Sequence, residues 1–316
     1  MATIKTRICM ISDTHTSTPH PPQRTDHAYR YPLPTANILL HAGDLTKVGY
    51  RVEHEAMISM LTTAQAELKL VIAGNHDITL DEDYFTSFGY TRHQRPEQLG
   101  EESILLSDDL QPTLRTSTPN KDSLRAYASS IKSLWTSEAA RKAGIIYLEE
   151  GTHSFTLSTG ATFTIYASPY QPEFYNWAFA YPRSQDRYNP APATHAQPVN
   201  PVPDYPAVDI MLTHGPPVGV LDQVPPDLNV GCEHLFRARG VWDDEVGGGV
   251  RLEDVSTDME EMLENRGAFC DVSNGAERPL RVGEETLFVN GSIMTVNYEA
   301  RNAPWVVDLE LPVAGA

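Results

Sequence analysis

Four short segments place aspartate, histidine and asparagine side chains directly after apolar runs that favour β-strands. The apolar runs are ICMIS, ANILLHA, LKLVIAG and VDIMLTH. The polar residues at their ends are Asp13, His15, Asp44, Asn75, His76, Asp77 and His214. Strand ends are where α/β sheets build their sites, so the four segments together predict one functional cleft.

These residue types predict a pair of divalent metal ions. Carboxylate and amide oxygens suit hard cations, whereas imidazole nitrogen suits zinc, iron and manganese, so the mixed set favours a catalytic transition-metal pair. Asp13 and His15 are two positions apart and can enter one cleft if the backbone leaves the strand between them. Asp44 is suited to bridge two ions held about 3.5–4 Å apart, a separation that polarises a phosphate and activates a shared water. Asn75 offers an oxygen and His214 a nitrogen.

The surrounding sequence predicts an α/β fold with strands in both halves of the chain. Residues 5–12, 37–42 and 68–73 are interpreted as buried parallel strands, and HEAMISMLTTAQAEL as their crossover helix. Further predicted elements are a helix near 123–143, a hairpin turning at 158–160, and strands in VDIMLTH, TLFVNGS and PWVVDLEL. Two packed sheets with helices outside accommodate this order.

Residues 1–316 are interpreted as a single domain with two irregular stretches. Residues 186–206 are rich in proline and predict a surface loop, and residues 240–285 are glycine-rich and acidic with one short helix candidate. In the aromatic stretch before the first loop, Trp177 and Phe179 are either core residues or a lid over the site. Core is the favoured reading, because aromatic side chains most often pack.

Composition narrows the possible partners. The net charge of −18 argues against a nucleic acid polymer as partner, and an anionic substrate would need a metal as its positive counterpart. The three cysteines form no zinc-binding spacing and no even set of disulfides, which predicts a reducing compartment. No apolar leader or membrane-length run occurs, so a cytoplasmic location, or a nuclear one, is expected without membrane attachment. The oligomeric state stays open.

The motifs in this order resemble the calcineurin-like metallophosphoesterase superfamily, whose pattern is Asp-x-His, Gly-Asp, Gly-Asn-His-Asp/Glu, a lone His and Gly-His-x-His. The segments SPYQPEF, LTHGPPVG, GCEHLFR and FVNGSIM are similar to the small cytosolic branch of UPF0046 and MPPED proteins. This resemblance covers nearly the whole chain. It implies a four-layer α/β/β/α sandwich of two packed mixed sheets with a dinuclear metal site.

The resemblance also implies a role for each matched residue. Asp13, His15 and Asp44 would hold one ion, and Asp44, Asn75 and His214 the other. His76 would face the phosphate and the leaving group, steered by Asp77 or another acid. The two ions would be Mn²⁺, Fe or Zn²⁺, and a hydroxide bound between them would hydrolyse a phosphodiester or phosphomonoester. The substrate would be a small phosphate ester, with nucleotides among the candidates.

The chain departs from the family pattern after His214. No Gly-His-x-His follows, and the last histidine is His234. Each ion would thereby lose one imidazole ligand, which lowers metal affinity. The alternative to an impaired enzyme is therefore a descendant that binds a nucleotide or a protein partner with little turnover.

Other candidate ligands have simpler interpretations. His41 is interpreted as a buried neighbour of the site and His234 as a structural residue. The acidic residues of the segment after GCEHLFR, Asp243, Asp244 and Glu245, are interpreted as a solvated loop rather than substitute ligands.

Overall fold

The computed structural model describes residues 2–93, 120–191, 197–204, 207–224, 228–232, 235 and 259–315. The strands in chain order are β1 (Thr3–Ile11), β2 (Ile38–His41), β3 (Leu68–Val71), β4 (Ile145–Tyr147), β5 (Gly151–Thr156), β6 (Thr162–Ser168), β7 (Gln171–Pro172), β8 (Ala180–Tyr181), β9 (Ile210–Thr213), β10 (Gln223–Val224), β11 (Leu228–Asn229), β12 (Ala268–Asp271) and β13 (Trp305–Pro312).

The described helices lie mainly in the first half of the chain. They are α1 (Arg51–Thr63), α2 (Glu82–Tyr84), α3 (Tyr90–His93), α4 (Lys121–Trp135), α5 (Glu138–Lys142) and α6 (Met259–Asn265). A 3₁₀ turn at Ile78–Leu80 precedes α2, and a π-helical turn at Phe85–Gly89 joins α2 to α3. Within these described ranges, none of the helices has the length and apolar character needed to cross a membrane.

The larger sheet is mixed and has the strand order β12-β13-β1-β2-β3-β4. β1, β2 and β3 are parallel, with Ile8 opposite Ile38 and Ile38 opposite Leu68. Every residue of β2 is buried, as expected for a parallel strand covered on both faces. The three predicted parallel strands are therefore confirmed, and their carboxyl ends meet at one edge of the sheet.

A smaller sheet of order β5-β6-β9 packs on the larger one. β5 and β6 form the predicted antiparallel hairpin, and β9 pairs parallel to β6. The core between the sheets joins Leu40 and Leu70 of the larger sheet to Phe163, Ile165 and Leu212 of the smaller one. The predicted fold class, an α/β arrangement of two packed mixed sheets, is confirmed.

Helices cover the other face of the larger sheet. Met57 and Leu61 of α1 pack with Trp135 of α4 and Val71 of β3 in a second core. The helix predicted near 123–143 is divided into α4 and α5, because Ser137 caps a new helix by accepting the N–H of Ala140 at 3.1 Å.

Two late segments differ from the predictions. The run TLFVNGS at 286–292 forms no strand, because β13 already pairs with β1 from Thr3 to Met10, and only Ser292 bridges to Ser12 beyond that pairing. Within the stretch 240–285, which was expected to be irregular, residues 268–271 form β12 and pair with β13. Residues 240–258 lie outside the described residues.

The described parts of the proline-rich loop contain no helix or strand, yet they pack on the smaller sheet. Tyr188 and Val202 are buried, and the N–H of Val202 donates to the carbonyl of Tyr188 at 2.8 Å. Arg187 makes a bidentate ion pair with the buried side chain of Glu150. The described parts of the loop therefore pack against Tyr166 of β6 and are joined to Glu150, which directly precedes β5.

Candidate metal centre

Backbone hydrogen bonds join the loop that follows β1 to the loop that follows β2. Asp13, His15 and Asp44 have positive φ angles of 55°, 42° and 52°. The N–H of Asp13 donates to Gly43 and the N–H of His15 donates to Asp44, both at 2.9 Å. Non-glycine residues in this region are strained and concentrate at functional sites, where surrounding contacts hold them. The two strained turns thus bring three of the predicted ligands side by side.

Two glycines allow the loops after β2 and β3 to touch. A Cβ atom on Gly74 would lie 2.3 Å from Oδ1 of Asp44 and 2.7 Å from the ring of His214. Gly43 has φ +97°, and a Cβ there would lie 2.6 Å from the carbonyl oxygen of Ala73. Glycine is therefore required before Asp44 and before Asn75 for steric reasons.

The carboxylate of Asp44 lies between two imidazoles. Its Oδ2 is 3.6 Å from Nε2 of His15, and its Oδ1 is 3.5 Å from Nε2 of His214. The Nδ1 atoms of these rings lie 3.2 Å from the carbonyl of Thr46 and 2.9 Å from that of Ala42. Because a carbonyl only accepts, each Nδ1 carries the proton and each neutral ring presents its Nε2 lone pair to Asp44. Metal-binding histidines have this arrangement.

Asn75 completes a second group of donor atoms. Its Oδ1 lies 3.0 Å from Nε2 of His214, so in the neutral ring two acceptor atoms face each other. Either a proton on Nε2 or a metal cation between the two atoms relieves this contact. Ions that bind nitrogen and oxygen at about 2.0–2.2 Å hold neighbouring ligand atoms about 3.0–3.5 Å apart. The spacings of Asp44 and Asn75 from Nε2 of His214 fit one ion, and His15 faces the other oxygen of Asp44.

The electrostatics also fit a cation. Burial raises the pKa of Asp13, and the neighbouring Asp44 carboxylate raises it further. Burial also favours a raised pKa for Asp44. The pKa of Asp44 is nevertheless below its usual value, because three nearby imidazoles, those of His214, His76 and His15, lower it by more. For His214, burial opposes protonation, yet the carboxylates of Asp44 and Asp13 leave its pKa raised. Within the described residues, no lysine or arginine makes an ion pair with Asp13 or Asp44.

His76 lies beside this group with its ring restrained on several sides. Its Nδ1 lies 2.7 Å from the carbonyl of Lys47, and its backbone N–H donates to Oδ1 of Asp44 at 2.8 Å. The ring meets the edge of His15 at 4.6 Å and stacks on Trp177 at 4.0 Å. One ligand atom from each of His15, Asp44 and His76 lies within 4.8 Å of the others. His76 therefore reaches the space in front of the predicted ions.

Asp77 has a different position from the one expected. Its carboxylate is fully buried and accepts hydrogen bonds from the N–H groups of Leu45, Thr46 and Gly74 and from the hydroxyl of Thr46. Burial raises the pKa of Asp77 to about 7. Among the described contacts, the carbonyl of Lys47, and not Asp77, orients the His76 ring. Asp77 instead ties the loop of Asp44 to the loop of Asn75.

The remaining candidates divide into buried neighbours and undescribed residues. His41 is fully buried and bonds to the hydroxyl of Thr14 at 3.0 Å, in keeping with its interpretation as a neighbour of the site. Burial lowers the pKa of His41 to about 3. His234 and the acidic residues 243–245 lie outside the described residues.

Two residues at the site, Gln171 and Tyr298, have no prediction from the sequence, and a third, Trp177, lies at the site although the core was its favoured interpretation. Gln171 donates from Nε2 to Oδ1 of Asn75 at 2.8 Å. Trp177 is half-buried against His76, whereas Phe179 belongs to the core, so the two aromatic residues have different roles. The ring of Tyr298 lies 5.5 Å from that of His15 and is exposed. Gln171 lies within the SPYQPEF segment and Trp177 follows it, so this segment is the available signal, whereas nothing in the sequence marks Tyr298.

Comparisons with known proteins agree with this geometry. The family model described as calcineurin-like phosphoesterase matches residues 6–238. Metallophosphoesterase domain-containing protein 1 of Homo sapiens and that of Mus musculus are each 30% identical over 313 residues, covering 97% of this chain and 72% of each relative. A UPF0046 protein of Caenorhabditis elegans is 28% identical over 207 residues, covering 65% of this chain and 42% of that protein.

Proposed function

The chain belongs to the calcineurin-like phosphoesterase family, and on this premise we propose that it is a metal-dependent hydrolase of a phosphodiester or phosphomonoester. The observation that carries the proposal is the Asp44 carboxylate, whose two oxygens face Nε2 atoms of two different histidines. A carboxylate in this position suits a bridge between two ions.

The donor atoms divide into two proposed ion sites. Asp13, His15 and Asp44 would hold one ion, and Asp44, Asn75 and His214 the other. The donor set suits Mn²⁺, Fe or Zn²⁺. When bound, such ions polarise a phosphoryl oxygen and lower the pKa of water to near neutrality.

The proposed role of His76 is proton transfer to the leaving group, or stabilisation of its developing charge. The carbonyl of Lys47 accepts the Nδ1–H, so Nε2 is the atom available to the substrate. Proton transfer to the leaving group would use the second proton of an imidazolium, carried on Nε2. Asp77 has a proposed positioning role, because its carboxylate holds the backbone directly after Asp44 and directly before Asn75. Proton transfer by a positioned side chain contributes about 10²–10⁴-fold to the rate.

The second candidate function is binding of a nucleotide or protein partner with little turnover. The missing Gly-His-x-His favours it, because the sequence then supplies three predicted ligands to each ion. For either candidate we propose a small phosphate ester, with nucleotides included, as the ligand. Cys9, Cys232 and Cys270 are free thiols, which fits the proposed reducing compartment, cytosol or nucleus.

The test combines a metal count with an Asp44→Asn variant. Protein purified without chelators and reloaded with Mn²⁺ is assayed by elemental analysis and for hydrolysis of bis(p-nitrophenyl) phosphate. We expect two ions per chain and a loss of activity of at least about 100-fold in Asp44→Asn, because the bridge loses its charge. Asp122→Asn is the matched control, since the side chain of Asp122 is 90% exposed on α4. Undiminished hydrolysis by Asp44→Asn would overturn the enzyme proposal, and one ion or none would favour the binding alternative.

A further inference from the structure

Residues 171–181, here called the clamp, connect the smaller sheet to the Asn75–Asp77 turn. The clamp begins and ends in a short parallel strand pair, with Gln171 opposite Ala180. Its end is fixed to the start of α2, because the N–H of Phe179 donates to Oδ2 of Asp81 at 2.8 Å. Phe179 itself is buried in the core formed with α4. The clamp therefore has firm anchors at both ends.

One end of the clamp contacts a proposed metal ligand. Nε2 of Gln171 donates to Oδ1 of Asn75 at 2.8 Å, while Nε2 of His214 lies 3.0 Å from the same oxygen. An amide oxygen has two lone pairs, so the bond from Gln171 occupies one and leaves the other directed towards the ion position beside His214. The stem of Gln171 is confined as well, because a Cβ on Gly215 would lie 3.0 Å from its Cβ.

The middle of the clamp contacts the proposed proton-transfer residue. The Trp177 indole stacks on the His76 ring at 4.0 Å with an interplanar angle of 26°. His93 stacks on Trp177 at 4.1 Å and 18°, and its Nε2 lies 2.9 Å from the hydroxyl oxygen of Tyr84. The indole is thus held between two imidazoles and defines the ring plane of His76, while the Lys47 carbonyl defines its rotation.

The clamp backbone is strained at residues close to Trp177 in the chain. Tyr175, Asn176 and Phe179 have φ angles of 52°, 54° and 53°. Such conformations persist only where the surrounding contacts hold them, and they concentrate at functional sites. The strain indicates that the clamp shape is maintained for a purpose other than chain connection.

We propose that the clamp positions both functional residues of the Asn75–Asp77 turn. Gln171 orients the Asn75 amide for the second ion, and Trp177 fixes the plane of the His76 ring for proton transfer. Both are positioning residues, and the inference rests on the proposed function.

The metal half of the proposal, the role of Gln171, is tested by titrating Gln171→Met with Mn²⁺ in a calorimeter. This substitution keeps the length of the side chain and removes the N–H donor. We expect one of the two ions to bind about 10–100-fold more weakly, as found when partners of metal ligands are removed. Gln185→Met is the matched control, because Gln185 is exposed. Circular dichroism and the melting temperature of the metal-free proteins report on folding. Equal Mn²⁺ affinity in Gln171→Met and the parent would overturn this half.

The catalytic half of the proposal, the role of Trp177 in fixing the plane of the His76 ring, is tested with Trp177→Leu and Trp177→Phe. We expect Trp177→Leu to lower kcat about 10-fold or more, with KM and Mn²⁺ affinity unchanged, because misplacement of a proton-transfer group costs rate. Trp177→Phe retains a flat ring and should recover most of kcat. Phe88→Ala, at an exposed ring outside the clamp, is the control and should behave as the parent. An unchanged kcat in Trp177→Leu, or no recovery by phenylalanine, would overturn this half.

The outcomes separate the clamp from the proposed function. A parent that binds two Mn²⁺ ions but hydrolyses no ester would overturn the proposed function and the role of Trp177, while Gln171→Met still decides the metal half. A parent that hydrolyses esters, with unchanged Mn²⁺ binding in Gln171→Met and unchanged kcat in Trp177→Leu, would overturn the clamp alone.

Discussion

Two groups of buried histidines in this protein differ in how their ring nitrogens are used. At the metal centre, Nε2 of His15 and of His214 face Asp44 at 3.6 and 3.5 Å, longer than hydrogen bonds. Between α1 and α4, His54 contacts the Trp135 indole nitrogen at 3.1 Å and the Thr79 hydroxyl at 2.9 Å. The ring nitrogens of His54 complete hydrogen bonds that serve stability. At the candidate metal centre, the neutral rings direct Nε2 lone pairs at oxygen atoms of Asp44 and Asn75, an arrangement that suits a cation between them.

The largest effect is expected at Asp77, which joins the two loops of the metal centre. Asp77→Ala leaves the N–H groups of Leu45, Thr46 and Gly74 without their acceptor in a buried place. We expect a loss of about 3–5 kcal/mol in the free energy of unfolding. Mn²⁺ binding should fall with it, because the Asp44 and Asn75 loops lose their connection. Urea denaturation and calorimetry measure both quantities.

Asp77→Asn is the matched control for that variant. It keeps one carbonyl oxygen as an acceptor and should fall between the parent and Asp77→Ala in both measurements. A loss below about 1 kcal/mol in Asp77→Ala would contradict the joining role, since a single buried hydrogen bond already contributes that much.

The next largest effect is expected at Gly74, where space and not backbone conformation requires glycine. Gly74→Ala forces a methyl group to within 2.3 Å of Oδ1 of Asp44, so the carboxylate must move. We expect at least about 10-fold weaker Mn²⁺ binding and about 1–3 kcal/mol lower stability.

Gly160→Ala provides the contrasting control for Gly74→Ala. Gly160 has φ +88° with open space around its Cβ position, at the turn between β5 and β6. It should cost about 1–2 kcal/mol through backbone strain alone and leave Mn²⁺ binding unchanged. Equal Mn²⁺ affinity in the two alanine variants would show that the Gly74 contact does not hold Asp44.

The metal centre was more predictable from sequence than the elements that support it. Asp13 and Asp44 follow apolar runs, and the parallel pairing of β1 and β2 brings their ends together. His214 follows β9 of the smaller sheet, so it reaches Asp44 through the packing of the two sheets. The contact of Asp77 with Thr46 could not be predicted, because it depends on how a turn folds back beneath its neighbour. The Trp177 stack depends on a strained loop conformation that composition does not specify.

The fold shows the same division between local pattern and long-range competition. The parallel strands and the hairpin follow from periodicity, and both are confirmed. Residues 286–292 have the composition of a strand but lie outside the sheet, because β13 occupies that edge of β1. Two apolar segments compete for one edge of β1, and the packing of the whole chain decides which of them pairs there. A short stretch of sequence does not contain that information.

Substitution of His54, which lies between α1 and α4, should lower the free energy of unfolding without changing the affinity for Mn²⁺. His54→Leu removes the partner of the Trp135 N–H and of the Thr79 hydroxyl, both in a fully buried place. We expect a loss of about 1–3 kcal/mol and Mn²⁺ binding equal to that of the parent. A change in Mn²⁺ affinity greater than about 3-fold, or roughly 0.7 kcal/mol, would contradict the separation of the two groups.

The smallest effect is the pH dependence that His54 contributes. Burial lowers the pKa of His54 to about 3, and the Thr79 hydroxyl, which donates to Gly49 at 2.9 Å, must accept from Nε2, so Nδ1 is left to accept from Trp135. The folded protein keeps this ring neutral, whereas the unfolded chain binds a proton below a pKa of about 6.5. Stability from His54 is therefore complete above pH 6.5 and decreases as the pH falls towards 3, by about 1.4 kcal/mol per pH unit. The difference in unfolding free energy between the parent and His54→Leu should shrink by that amount from pH 6 to pH 5. Both proteins carry the same site histidines, so a constant difference would show that His54 is protonated in the folded state.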